Sequence, residues 1–490
     1  MESEIPRTHY RVTFVVLATA TIAYSLLQSL VIPVLGTIQA GLHTSQNSVT
    51  WVLTAYLLSA SIFTPIMGRL GDMFGKERML VLALLALAGG CVMAALASSL
   101  TVMLVARVIQ GVGGGVLPLA FGLIRDEFPR EKVAGAVGVI AALAAAGAGL
   151  GIVLAGPIVN TLDYHWLFWI PMVVLVVAAV AAHVVVPESR ERTPGRINWL
   201  ATLLLSGWLV ALLLAVSEAP VWGWGSARVL GLSVAAILMA IWWVTVENRT
   251  ANPLIDMHMM RIPAVWTTNL VALLLGVGMY AAFAFLPQYL ETPSSAGYGF
   301  GASITQAGLI LLPSSVAMFI FGGLSGRLSG RFGARAVLIA GTAISVVPFV
   351  LLALARAHQW EILLAMLLQG IGFGLAYAAM SSLVVQAVPA QQTGVASGMN
   401  ANIRTIGGSL GAAVMSSIVT AGAHHGGLPA NSGYTHGFLA LTIAAAAAAG
   451  AAVLVPKLRS GVMATESPET MPHAELAMVA AGTVVGDESE

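Results

Sequence analysis

The sequence has few charged residues and a single cysteine. Asp, Glu, Lys and Arg make up 9% of the 490 residues, whereas a soluble globular domain has about 25%. So few charges cannot cover a surface that faces water, which argues against a soluble enzyme. The formal net charge of +1 argues against the broad basic surface of a nucleic-acid-binding protein. Cys91 alone allows no internal disulfide and no thiolate cluster. The sequence shows no metal or nucleophile constellation, so we expect no catalytic residues, metal or cofactor.

Apolar residues are instead abundant, at 58% of the chain with a mean hydropathy of +0.89. They form continuous runs of about 20 residues, which predict membrane-spanning helices and not the alternating strands of a barrel. The sequence therefore predicts an all-α integral membrane protein. Its fourteen predicted spans are residues 12–35, 48–70, 79–98, 101–124, 133–159, 165–186, 197–217, 228–246, 265–289, 302–325, 335–356, 360–386, 396–422 and 434–455. We interpret the first run as an uncleaved helix and not as a signal peptide.

The basic residues predict the orientation of the spans. Of the 22 Lys and Arg residues, eighteen fall in segments on the side of the N-terminus. Only Arg228 and Arg356 fall on the opposite side, and Arg107 and Arg404 lie within spans. Because cytoplasmic loops carry the excess of basic residues, both chain ends are predicted to be cytoplasmic. After Arg459 the chain has six acidic and no basic residues, which predicts a disordered cytoplasmic tail.

An internal repeat divides the chain into two halves. The segment GRLGDMFG at residues 68–75 recurs as GRLSGRFG at 326–333, and QGVG at 110–113 recurs as QGIG at 369–372. Two parallel six-helix repeats are typical of transporters, with the substrate path between the halves near the membrane midplane. The predicted organisation is a cytoplasmic N-terminus (1–11), a six-helix bundle (12–196), a central two-helix insertion (197–246), a second six-helix bundle (247–456) and the tail (457–490).

Pairs of glycines four residues apart recur in both halves. Such pairs let helix backbones approach closely in a membrane. They predict either static helix packing or surfaces that slide during alternating access. The pairs are Gly111/Gly115, Gly147/Gly151, Gly370/Gly374 and Gly407/Gly411.

Several segments resemble a known superfamily. GRLGDMFGKER (68–78) and RVIQGVGGG (107–115) resemble the signature loop and the second motif of the major facilitator superfamily. Fourteen spans with a central hairpin resemble its fourteen-helix drug:proton antiporter branch, and LLLAVSEAPVWGWGSA (212–227) resembles actinobacterial members. The resemblance implies the major facilitator fold, and a monomeric exporter of hydrophobic drugs or natural products in a bacterial plasma membrane. Its expected partners are the substrate, protons and the lipid bilayer.

The resemblance also implies roles for individual residues. The loop after span 2 is expected to latch the outward-open state through Asp72, with Lys76 and Arg78 nearby; a solvated turn is the alternative. Glycines permit tight turns in that loop. Arg107, with Gln110, is implied in proton coupling or substrate orientation. The latch loop comprises Gly68, Gly71, Asp72, Gly75, Lys76 and Arg78.

The sequence departs from the family at two places. In span 5, Gly147 and Gly151 match the antiporter motif, but the proline is displaced to Pro157, after Gly156; we still predict a hinge there. Where fourteen-helix antiporters typically carry an aspartate in span 1, this sequence has Tyr24.

No acidic residue lies centrally in a predicted span. A proton-coupled exporter needs a titrating group that is exposed to each side in turn. The candidates are Glu218, Glu291 and Glu361 at outer ends, and Asp72. The alternative is an uncoupled or differently coupled facilitator or importer of a small solute.

Polar residues inside the spans predict the substrate cavity. An apolar, flexible lining around them suits bulky hydrophobic ligands. Arg404 is expected to contact either an anionic or polar ligand or nearby carbonyl groups. The predicted cavity residues are Tyr24, Gln28, Asn269, Tyr280, Gln369, Tyr377, Asn400 and Arg404.

Overall fold

The computed structural model describes residues 10–44, 46–189, 198–250, 253, 255–389, 392–421 and 428–457. The predicted tail after residue 457 and nearly all of the predicted cytoplasmic N-terminus lie outside these residues. Within them, fourteen helices are long and apolar enough to cross a bilayer. The prediction of an all-α membrane protein with fourteen spans is confirmed.

We number the membrane helices α1 to α14. The shortest have 20 residues, or about 30 Å at 1.5 Å per residue, which matches the hydrocarbon core of a bilayer. The helices are Tyr10–Gly41, Gln46–Phe74, Lys76–Ala95, Leu100–Glu127, Arg130–Thr161, Trp166–Val185, Trp199–Trp222, Ala227–Arg249, Pro263–Glu291, Ile304–Phe332, Ala334–Leu354, Gln359–Ala387, Thr393–Thr420 and Asn431–Leu454. Short 3-10 segments interrupt α1 at Ile32–Val34 and α4 at Gly111–Gly115. We call the side that carries the α2–α3 turn the inner side, and the opposite side the outer side.

The first half (α1–α6) and the second half (α9–α14) pack their glycine pairs in the same way. In the first half, the pair on α4 faces α2 and the pair on α5 faces α1. In the second half, the pair on α12 faces α10 and the pair on α13 faces α9. The nearest neighbours include Ser59 for Gly111, Met67 for Gly115, Ser25 for Gly147, Ser29 for Gly151, Ser314 for Gly370, Met318 for Gly374, Leu273 for Gly407 and Val277 for Gly411.

This packing favours static helix contacts, the first of the two alternatives for the glycine pairs. The four glycine pairs lie inside the halves, so they are not the surfaces on which the halves would slide past each other. Between the halves, α5 and α10 touch through Gly135 and Gly326 near the inner side and through Gly156 and Thr305 near the outer side. The predicted hinge residue Gly156 therefore contacts the other half, where a Cβ atom would have no room.

The segment predicted as a loop after span 2 belongs mostly to a helix. Helix α2 continues to Phe74, and Gly75 alone forms the turn, with φ of +113°. Lys76 then starts α3. Asp72 and Lys76 therefore face each other across this single-residue turn, at a spacing of four residues.

The central hairpin of α7 and α8 packs against both halves through α7. Leu204 and Leu205 of α7 share an apolar cluster with Met399 of α13, and Leu58 of α2 packs against the same cluster. Helix α8 presents large apolar side chains outward, as expected for a surface in contact with lipid. Examples of these exposed side chains are Leu230, Ile237 and Ile241.

Candidate functional site

A cavity lies between the two halves. Its lining comes from α1, α2, α4 and α5 on one side and from α9, α12 and α13 on the other. The volume of this cavity is about 80 Å³. Six of the predicted cavity residues line it, namely Tyr24, Gln28, Tyr280, Tyr377, Asn400 and Arg404.

The other two predicted residues lie outside the lining. The Asn269 side chain accepts a hydrogen bond from Nδ2 of Asn400 at 2.8 Å. Asn269 therefore contacts a residue of the lining without lining the cavity itself. Gln369 is fully buried in α12, and its side-chain amide has no hydrogen-bond partner among the described residues. The expectation that Gln369 faces the cavity is therefore wrong in this structure.

Short polar side chains that the sequence pattern does not predict also line the cavity. Serine and threonine can bond to a carbonyl of their own helix, as Thr64 does to Ala60 at 2.6 Å. Their presence in an apolar run therefore does not mark a cavity. These residues are Ser25, Ser61, Thr64, Ser381, Ser397, Asn402 and Thr405.

Arg107 is buried away from the cavity. Its Nε atom donates to the Val52 carbonyl at 2.9 Å, and its Nη1 atom donates to Oε1 of Gln110 at 2.7 Å. Its guanidinium also lies over the Tyr56 ring, 4.4 Å from the ring centroid. Its Nη2 atom has no hydrogen-bond partner among the described residues. Arg107 is not among the residues that line the cavity. Its role in coupling stays a prediction.

Asp72 lies buried at the inner end of α2, against the other half of the molecule. Both carboxylate oxygens are 3.5 Å from the position of a Cβ atom on Gly394, in the first turn of α13. The nearest cation is Lys76, whose Nζ is 3.8 Å from Asp72 Oδ1. A carboxylate at a helix N-terminus interacts favourably with the free N–H groups there. Neither carboxylate oxygen has a hydrogen-bond partner among the described residues. The attraction of Asp72 to the N-terminus of α13 therefore acts through space, across a contact between the two halves.

The remaining latch residues tie the inner ends of the first half together. Lys76 Nζ lies 2.7 Å from Asp126 Oδ2, and the Ser189 hydroxyl donates to the same oxygen. Arg78 Nε lies 3.2 Å from Glu188 Oε2. These contacts join α3 to α4 and to the chain after α6, so the inner ends of these helices form one network.

Arg125 makes a second contact between the halves, one that the sequence pattern does not predict. Its Nη1 atom donates to Thr393 Oγ1 at 2.7 Å and to the Val385 carbonyl. Arg125 lies on α4, whereas its two acceptors lie on α13 and α12. In a sequence, a basic residue after a span indicates the orientation of the span. It does not indicate which helix the side chain will contact.

The candidate proton-carrying glutamates lie away from the cavity. Glu218 lies near the outer end of α7 and Glu291 ends α9. Glu361 accepts a hydrogen bond from the His358 backbone N–H at 2.9 Å and thereby caps α12. None of the three is among the described residues that line the cavity.

Comparisons with known proteins bear on this arrangement. The chain is 29% identical over 387 residues to the tetracenomycin C resistance and export protein of Streptomyces glaucescens, covering 77% of this chain and 70% of that protein. It is 26% identical over 385 residues to the multidrug transporter protein MdtP of Bacillus subtilis, covering 76% of this chain and 69% of that protein. The crystal structure of the human organic anion transporter MFSD10 superposes with a TM-score of 0.64 at 16% identity, covering 90% of this chain and 99% of that chain. This last likeness shows the fold alone.

The sequence profile of the Major Facilitator Superfamily matches residues 17–294 and again residues 268–478. The first match runs through the first half, the central hairpin and α9, and the second covers most of the second half, so that together they cover most of the chain. The chain belongs to the Major Facilitator Superfamily.

Proposed function

We propose that the chain exports hydrophobic small molecules, drugs or natural products, from the cytoplasm by alternating access in exchange for protons. The observation that carries this proposal is a cavity between two similarly packed halves whose inner ends are joined by Asp72 and Arg125. Apolar side chains such as Leu57, Phe121 and Met279 line the cavity beside the polar ones. The names of the two bacterial relatives, an export protein and a multidrug transporter, support the same function.

The proposed orientation places the inner side in the cytoplasm. The excess of basic residues on that side supports this placement. Both chain ends then face the cytoplasm of a bacterial cell, in its plasma membrane, and the chain acts as a monomer with residues 12–196 and 247–456 as its moving bundles. In the proposed cycle, the contact of Asp72 with α13 closes the cavity toward the cytoplasm.

Protons are the proposed source of energy. About 100 mV contributes about 2.3 kcal/mol per charge, and one pH unit contributes about 1.4 kcal/mol. One proton per cycle therefore supplies about 3.7 kcal/mol, enough for accumulation of about 500-fold. Asp72 is the candidate carrier that the geometry favours, since it alone among the candidates lies at a contact between the halves. Protonation would remove the charge that holds it against α13 and Lys76.

A second candidate is a facilitator or importer without proton coupling. One observation favours it: no carboxylate is present among the described residues that line the cavity. The two functions differ in their response to a pH gradient.

The test uses everted membrane vesicles that contain the full chain in their membrane, with Nile red, a neutral hydrophobic dye, added outside. Proton-coupled export predicts dye uptake when the vesicle interior is acidified, and release of the dye when an ionophore collapses the gradient. A dye flux that does not change with the pH gradient would support the facilitator. Empty-vector vesicles, matched in lipid and leak rate, are the control, and equal dye movement in both would remove the transport proposal.

A further inference from the structure

Arg404 differs from every other described residue that lines the cavity, because it alone carries a charge. It lies eleven residues after the first residue of α13, about 16 Å along the helix axis at 1.5 Å per residue. This depth is close to half the thickness of a bilayer core. A charged side chain at such a depth is costly and usually faces a water-filled cavity or a partner.

The guanidinium of Arg404 is held in place but not neutralised. Its Cζ atom lies 4.6 Å from the centroid of the Tyr377 ring, so a π face supports it from one side. The Nε–H group has no hydrogen-bond partner among the described residues. Tyr24 and Tyr280, which also line the cavity, lie close enough to interact electrostatically with it. These groups orient the cation but supply no carboxylate.

Arg107 provides an internal comparison. It is also buried within a span and lies over a tyrosine ring, that of Tyr56. Its Nε atom, however, donates to the Val52 carbonyl at 2.9 Å, and its Nη1 atom donates to Gln110. Each arginine thus keeps one buried N–H group without an acceptor among the described residues, Nη2 of Arg107 and Nε of Arg404. The difference is that Arg404 lines the cavity and Arg107 does not.

We propose that the cavity takes substrates that carry an anionic group, a carboxylate or an ionised phenol, on an aromatic ring system. The anion would bind the guanidinium of Arg404, and the rings would pack among Tyr24, Tyr280 and Tyr377. Charge-assisted hydrogen bonds to a guanidinium are strong, and a cavity with a fixed cation and no carboxylate disfavours cationic compounds. This inference rests on the proposed export function and narrows its substrate class.

The test compares two dyes that share a xanthene ring system. Fluorescein is an anion at pH 8, and rhodamine 123 is a cation. The purified full chain in detergent is titrated with each dye, and binding is followed by fluorescence anisotropy. We expect fluorescein to bind at least about 10-fold more tightly than rhodamine 123. We expect Arg404→Gln to weaken fluorescein binding by about 10- to 100-fold, as for the loss of hydrogen bonds to a charged group, without weakening rhodamine 123 binding.

Two further variants make the result specific. Arg404→Lys keeps the charge but loses the planar donor geometry, so it should retain part of the preference for fluorescein. Arg228→Gln removes a positive charge at the outer end of α8, outside the cavity, and should bind both dyes as the unchanged protein does. Equal weakening of both dyes by Arg404→Gln would indicate a structural role and overturn the inference.

Transport of the same two dyes and of Nile red in everted vesicles distinguishes failure of the anionic substrate class from failure of the export function. Transport of Nile red with a preference for rhodamine 123 over fluorescein would overturn the anionic substrate class and leave export standing. Failure to move any of the three dyes would instead remove the proposed function. Export of fluorescein that Arg404→Gln abolishes, with Nile red export retained, would support both.

Discussion

Asp72 at the inner end of α2 lies against Gly394 in the first turn of α13, with both carboxylate oxygens 3.5 Å from the position that a Cβ atom on Gly394 would take. The N–H groups of a first helical turn lack helical partners and carry a partial positive charge. A Cβ atom on Gly394 would be in ordinary contact with the carboxylate, whereas one on Gly68 would come within 2.9 Å of the Gly394 backbone, so the glycine at position 68 permits the close approach of α2 and α13. The carboxylate adds attraction between opposite charges. This contact joins the two halves at the inner side.

We expect Asp72→Asn to slow Nile red export by about 5- to 30-fold. The carboxylate at the N-terminus of α13 contributes about 1–2 kcal/mol to the closed inner side, and that energy corresponds to this factor in an equilibrium constant. Initial export rates in everted vesicles, at matched amounts of protein in the membrane, measure the effect.

The matched control is Asp163→Asn. Asp163 lies between α5 and α6 and accepts a hydrogen bond from the His165 N–H at 2.8 Å, outside the cavity and away from α13. It should export at the normal rate. A reporter, Ser397→Cys in the cavity lining, should also react faster with a maleimide from the inner side when Asp72 is replaced. Normal export and normal labelling in Asp72→Asn would rule out the latch.

Arg125 should be as important as Asp72, because it donates to acceptors on both α12 and α13. We expect Arg125→Gln to reduce export by about 10-fold, since hydrogen bonds from a charged donor contribute about 1.5–3 kcal/mol. Arg125→Lys should not restore export, because an ammonium group cannot reproduce the geometry of a planar guanidinium. Arg327→Gln, an exposed position at the inner end of α10, is the control; if it were equally impaired, loss of positive charge alone would explain the effect.

Two adjacent glycines on α10 give a test of the contact between the halves. A Cβ atom on Gly322 would collide with Ala142 of α5, whereas one on Gly323 would have nothing within 4 Å. We expect Gly322→Ala to lose export and to lower thermal stability, since overpacking costs about 1–3 kcal/mol. Gly323→Ala should export normally and be slightly more stable, because alanine is favoured over glycine in helices by about 0.5–1 kcal/mol. Thermal midpoints of the purified proteins and export rates check both; equal behaviour of the two variants would contradict the close packing.

The fold could be predicted from the sequence because the bilayer imposes it. A membrane span must be a continuous apolar helix of about 20 residues, so length and hydropathy predict all fourteen helices. The sequence predicts the end of α2 four residues too early, and the cause is two glycines. Gly68 and Gly71 read as turn residues, but they lie inside the helix, and they permit close contact with Gly394 and Leu119.

The site was predictable only in part. Polar residues within spans predicted most of the cavity lining, because an unpaired polar group in lipid is unfavourable. Sequence could not tell Arg107 from Arg404, since the acceptor of Arg107 is the Val52 carbonyl, 55 positions away in the chain. Every residue has a backbone carbonyl, so a sequence does not indicate which carbonyl will accept a hydrogen bond from an arginine. The tertiary structure is needed to tell which buried arginine lines the cavity.

The orientation of the chain can be tested with single cysteines in intact cells, because the only native thiol, that of Cys91, is buried. We expect Ser295→Cys, at an exposed position between α9 and α10, to react with a membrane-impermeant maleimide added outside. Ser467→Cys in the tail should react only after the cells are opened, since eighteen basic residues on the side of the chain ends predict a cytoplasmic location. The unchanged protein measures background labelling. Labelling of Ser467→Cys in intact cells, with Ser295→Cys protected, would show that the topology is the inverse of the predicted one. The proposed exporter would then be an importer.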